Sequence, residues 1–133
     1  MTKMAKFECS CGHIIRDQTD ALPYKGTFIP DEDDEVSFTE TTNRIAEFMQ
    51  AKESGRRDAF LQKIFGEAYL RDLDDLSILW DLVSYLDTFR RFIFECENCG
   101  RIWIQKHKEY DHNIYASYWP ESDVRSVLKS QRT

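Results

Sequence analysis

"KFECSCGHIIRD" (Lys6–Asp17) and "FIFECENCGRIWIQ" (Phe92–Gln105) hold every cysteine of this 133-residue chain, Cys9, Cys11, Cys96 and Cys99. In both stretches a glycine follows the second cysteine and apolar residues flank the turn. Glycine supplies the positive φ that lets backbone amides approach the sulfurs of such a turn. Four thiolates at tetrahedral corners, about 2.3 Å from the ion, suit zinc. Cys96-Glu97-Asn98-Cys99-Gly100 has the CxxCG spacing of a metal knuckle. Cys9-Ser10-Cys11-Gly12 is one residue shorter, which predicts a tighter turn and makes the adjacent His13 a reserve ligand.

Two other uses of the thiols compete with zinc. Buried free cysteines give no reason for two glycine-closed pairs. A redox CxxC usually opens a helix, whereas the second stretch reads as strand, turn, strand. We therefore expect a structural zinc. A four-thiolate ion has no open position at which to activate water. The acid pairs Asp17 with Asp20 and Asp74 with Asp75 lack a histidine or nucleophile in a recognisable setting. The chain is accordingly expected not to be an enzyme. His107 and His112 lie in a polar stretch and are read as solvated.

The flanks of the turns place the expected ion. Phe7, Ile14 and Ile15 bracket the first turn, and "RRFIFEC" and "RIWIQKH" bracket the second. Such short β-branched and aromatic runs favour strands. "NIYASYW" follows an Asp111-His112-Asn113 turn signal and alternates Ile114, Ala116 and Tyr118 against Tyr115, Ser117 and Trp119, which predicts a further strand. Two knuckles on adjacent hairpins resemble a zinc ribbon, an arrangement that serves many tasks.

Between the knuckles the pattern changes. "LPYKGTFIPDEDDEV" is read as a loop, with Pro23 and Pro30 interrupting helix and an acidic run at Asp31–Glu35. Ile45, Phe48 and Met49 predict a helix closed by Gly55, and Phe60, Leu61, Ile64 and Phe65 another closed by Gly66. "DDLSILWDLVSYLD" predicts a third, with Leu76, Leu79, Leu82, Val83 and Leu86 on the core face, its Leu-Trp stripe buried, and Asp74 and Asp75 at its positive end. The expected fold class is α+β: a small antiparallel zinc-ribbon sheet built from 5–30 and 88–120, an acidic helical insertion at 31–87, and a tail at 121–133, all in one domain.

Charge divides along the same lines. Residues 31–87 hold fifteen acids and six bases, net −9, against nine acids and twelve bases elsewhere, net +3. A surface so acidic repels nucleic acid and attracts basic proteins. No apolar run approaches the roughly 18 residues that span a bilayer, and "MTKMAKFECSCG" lacks the apolar core of a signal peptide. The cytoplasm is the expected compartment, where thiols stay reduced.

"CSCGHIIRDQTDALPYKGTFIPDED" resembles the opening of a group of small bacterial proteins with a first knuckle, an I-x-D-x-T-D-x-L-P-Y-K stretch, an I-P-D, a second CxxCG and an aromatic-Pro-Glu near the end. The matching residues are Ile15, Asp17, Thr19, Asp20, Leu22, Pro23, Tyr24, Lys25, Ile29, Pro30 and Asp31, with Trp119, Pro120 and Glu121. The resemblance implies the frame and a bacterial origin. Read as packing, Leu22, Tyr24 and Phe28 cover the ribbon while Asp17 and Asp20 cap turns. Two functions fit the chain. One is a protein-interaction module whose acidic insertion docks a basic partner, in the manner of an immunity protein that neutralises a toxin domain. The alternative is a nucleic-acid or transcription-associated ribbon using Arg90, Arg91, Arg101, Trp103, Lys106 and Lys108.

Overall fold

The computed structural model describes residues 6–108 and 113–132. Among the described residues, two antiparallel sheets and three α-helices make an α+β fold. It divides into two compact units, the described parts of Met1–Phe28 with Arg91–Thr133, and Ile29–Arg90.

In the first unit, β1 (Lys6–Glu8) and β2 (Ile14–Arg16) form a hairpin in which Phe7 faces Ile15. β3 (Lys25–Phe28), β4 (Arg91–Glu95), β5 (Ile102–Lys108) and β6 (Asn113–Tyr118) form a four-stranded sheet in that order. The buried residues Ile15, Phe94, Cys9 and Cys96 pack with Phe7, Tyr24, Trp103 and Tyr115. The ring of Phe7 lies edge-on to Phe94 and Trp103 and stacks on Tyr115, tying hairpin to sheet. Gln105 is fully buried beside a register shift between Gln105 and His107, and its Oε1 accepts the Phe92 N–H at 2.9 Å.

Three expectations for this unit need correction. β3 lies inside the stretch read as a loop. Its four residues carry no alternating signal, and what makes them a strand is pairing with β4, Gly26 opposite Ile93. A Cβ at Gly26 would stand 3.1 Å from Ile93 Cγ2, so glycine permits the approach. Asp17 does not cap a turn; it is buried and takes the Lys25 ammonium at 2.8 Å. Residues beyond 121 are also more than a tail. Ser126 and Val127 donate their N–H groups to the buried Glu95 carboxylate, each at 2.9 Å, and Arg125 reaches the Asn98 carbonyl.

In the second unit, α1 (Asp31–Glu53), α2 (Arg57–Phe65) and α3 (Asp75–Val83) are followed by a 3-10 turn at Ser84–Thr88. Helix α1 begins at the acidic run, not after it. Pro30 sits at the N-cap, and Asp31, Glu32, Asp33 and Asp34 fill the first turn. Pro fits that position because its missing N–H costs nothing there, and carboxylates favour the positive helix end. Gly66 ends α2 at φ +93°. Asp74 caps α3 by accepting the Ser77 N–H at 2.9 Å. The core is Phe48, Ala51, Phe60, Leu61, Ile78 and Leu82. Arg57 donates to the Arg71 and Leu73 carbonyls and, with Lys52, pairs with Asp75, which pins the segment leading into α3. The core side of α3 is therefore Ile78 and Leu82 with Leu79 partly buried, while Leu76, Trp80 and Val83 are exposed. Met49 on α1 is exposed as well. Periodicity placed Leu76, Leu79, Leu82, Val83 and Leu86 on one core face, but α3 is apolar on two sides and only the side of Ile78 and Leu82 packs on the core of this unit.

Candidate metal centre

Each cysteine pair sits on a turn closed by backbone hydrogen bonds of the same kind. In the first, the Cys9 N–H donates to the His13 carbonyl at 2.8 Å and the Gly12 N–H to the Cys9 carbonyl at 2.9 Å. In the second, the Cys96 N–H donates to the Arg101 carbonyl at 2.9 Å and the Gly100 N–H to the Cys96 carbonyl at 2.8 Å. Both glycines are left-handed, Gly12 at φ +95° and Gly100 at φ +82°. The missing residue of the first turn is absorbed between the cysteines, and both pairs still point inward.

The four sulfurs lie within 4.8 Å of one another and can hold a metal ion. Cys9 and Cys99 sulfurs are 3.6 Å apart, as are those of Cys11 and Cys96. A tetrahedron with metal–sulfur bonds of about 2.3 Å has edges of about 3.8 Å, whereas a disulfide would hold the sulfurs about 2.05 Å apart. Both of these approaches join one turn to the other, so the two pairs share one centre. His13 contributes its carbonyl to the turn and lies outside the cluster. His112 and Asp111 fall outside the described residues.

Donors point at the sulfurs from a surrounding layer. Trp103 Nε1 reaches Cys9 Sγ at 3.4 Å, Asn98 Nδ2 reaches Cys11 Sγ at 3.4 Å, and the Arg101 N–H reaches Cys99 Sγ at 3.5 Å. Such bonds favour thiolate over thiol. The Asn98 amide and the His13 backbone bring Cys11 down to about 6. At Cys9 burial acts upward, and bonds from the Cys11 backbone and Trp103 outweigh it, so that thiol is lowered too. Burial pushes Cys96 up to about 12. Neighbouring thiolates cannot all ionise together without a cation, which is the condition a metal ion removes.

The residues considered for a nucleic-acid face are dispersed among other duties. Trp103 turns into the core, and Arg90 pairs with Asp87 at 2.8 Å. Arg101 stacks on Trp119 at 4.7 Å, while Lys106 is exposed and Arg91 half-buried. Lys108 is placed on β5 by its backbone. The site that sequence reasoning missed is Glu95 with the segment 125–128. Its signal was a lone acid in an apolar strand beside a cysteine, legible only once Ser126 and Val127 are seen to cover it.

Residues 5–122 match the model of a family described as a domain of unknown function (DUF8617), and the chain belongs to that family. No curated protein and no solved structure matches it. Both cysteine turns fall inside the matched span, and the Arg125–Leu128 segment lies beyond it.

Proposed function

We propose that this chain is a non-enzymatic, cytoplasmic protein-interaction module of bacterial origin, in which a structural zinc fixes the cysteine turns and the acidic helical unit docks a basic protein partner. The carrying observation is how charge falls on the units. Ile29–Arg90 holds fifteen acids and seven bases, net −8, while the rest holds nine acids and eleven bases, net +2. A field of one sign over a compact body steers an oppositely charged partner and disfavours nucleic acid. Zinc is favoured by the all-thiolate donor set and by sulfur separations that suit a closed tetrahedral ion. Four protein ligands leave it no position for substrate, which supports a structural role.

An immunity-type inhibitor that neutralises a basic toxin domain is the specific form we favour. The test is co-expression with each reading frame that neighbours this gene, read as survival wherever one of them is toxic alone, together with a salt-dependent gel shift on random DNA and RNA. Rescue without nucleic-acid binding is expected. A salt-sensitive shift with no rescue would replace this reading with a nucleic-acid-binding ribbon.

A further inference from the structure

Helix α3, "DLSILWDLV", is apolar on two faces, and only Ile78 and Leu82 are buried. A helix that is apolar all round is ordinarily covered all round. Here Leu76, Trp80 and Val83, spaced i, i+4, i+7, form an outer stripe with 72%, 75% and 44% of their surfaces exposed. Leu76, Ser77, Trp80 and Asp81 line a shallow open groove along it. A Trp flanked by aliphatic side chains in a groove is the residue type that most often anchors a protein interface. An exposed apolar stripe also carries a solubility cost unless something uses it.

Charge decides among occupants. Residues 67–87 hold six acids, Glu67, Asp72, Asp74, Asp75, Asp81 and Asp87, and one base, Arg71; Lys52 and Arg57 pair with Asp75 and Arg90 with Asp87, so the stretch with these partners keeps a net charge of −2, within a unit of net −8. A second copy would bring the same acids against these, and nucleic acid or an anionic membrane would be repelled for the same reason. A cationic protein segment is attracted.

We propose that the outer face of α3 is the docking site for a basic amphipathic helix, whose apolar side chains cover Leu76, Trp80 and Val83 while its flanking lysines or arginines meet the surrounding carboxylates. This rests on the reading of the acidic unit as a docking body and names where and how it binds. Helix-in-groove recognition needs apolar anchors at i, i+3 or i+4 on the partner, which the spacing of the stripe mirrors.

The test uses the full chain at low salt and a synthetic lysine–leucine amphipathic peptide, titrated by amide chemical shifts, beside a peptide with each leucine replaced by serine. Expected are shifts concentrated on residues 70–84, with binding at least about tenfold tighter for the leucine peptide. Trp80→Ser and Leu76→Ser should each weaken it at least about tenfold, with melting temperature unchanged because both side chains are exposed. Equal binding of both peptides, indifferent to Trp80→Ser, would overturn the α3 site and leave the charge-based reading standing. Failure of both peptides to bind would overturn both. A dimer in sedimentation that Trp80→Ser converts to monomer would assign the stripe to a second copy and overturn the proposal, as would amide shifts on α3 caused by an RNA oligonucleotide.

Discussion

Removing the metal tests the largest energetic claim, because the two cysteine turns lie 85 positions apart between Cys11 and Cys96. Treated as a cross-link that restricts the unfolded chain, a loop of that length is worth about 4.6 kcal/mol at 25 °C. The structure lowers this bound. β3 and β4 pair Lys25 with Phe94 independently of the sulfurs. If that pairing survives, the loop the ion closes runs from Cys11 to Lys25 and from Phe94 to Cys96, about 16 residues, worth about 3 kcal/mol. The ion can supply this, since structural zinc sites bind with about 10 to 16 kcal/mol. A chain of this size loses about 4 °C of melting temperature per kcal/mol, so chelation should lower the midpoint by about 12 to 18 °C. The assay is thermal unfolding by circular dichroism and calorimetry, with metal content checked by elemental analysis before and after a strong chelator. Cys99→Ser should behave alike. Protein purified without metal would dispose of the centre outright. An unchanged midpoint after verified removal would show that Phe7, Ile15, Phe94 and Trp103 hold the ribbon by packing alone, and the loop argument would be wrong.

Metal affinity should fall on acidification. The Cys96 thiol, held up to about 12 by burial, must release its proton to bind, so each pH unit downward should cost at least about tenfold in affinity; competition titrations at several pH values would reveal a flat profile if this is mistaken. Lys25→Met should destabilise by about 2 to 3 kcal/mol, because it strands the Asp17 carboxylate at 6% side-chain exposure. Asp17→Asn should cost only about 1 kcal/mol, because the ammonium keeps the Phe92 ring 4.4 Å away and is itself 18% exposed; urea denaturation giving the opposite order would refute the assignment. Gly12→Ala should cost about 1 to 2 kcal/mol for its positive φ alone, with nothing within 4 Å of the new Cβ. Gly100→Ala should cost more, since its Cβ would meet the Arg125 guanidinium at 2.9 Å, and adding Arg125→Ala should recover the excess.

Which features were legible follows from how far apart their causes lie. A cysteine turn is specified within five residues by thiols and a glycine, so the four cysteines that come together could be named from the sequence. The ends of α1 and α3 were also local in principle. Pro30 and the acids after it are a helix-start signal, and reading them as a loop undervalued the favourable placement of carboxylates in a first turn. β3 is different, because Lys25-Gly26-Thr27-Phe28 is a strand only beside β4, whose residues lie more than sixty positions later. The capture of Glu95 by the backbone at Ser126 and Val127, 31 and 32 positions on, was hidden in the same way, whereas Asp17 and Lys25 are only 8 apart and meet because β3 carries Lys25 back beside Asp17.

The orientation of α3 is the most instructive case. Leu76, Leu79, Leu82, Val83 and Leu86 look like a core stripe by spacing, but a helix with apolar residues on two sides offers two candidate core faces. The face of Ile78 and Leu82 packs with Phe48 and Leu61, the pairs of Arg57 and Lys52 with Asp75 accompany that orientation, and Trp80 is left in solvent. Periodicity measures how apolar a face is, whereas burial depends on a neighbour that another part of the chain must supply. Where sequence periodicity assigns a residue to the core and the fold leaves it exposed, the apolar surface is free to be covered from outside the chain, which is the ground for the docking site proposed on α3.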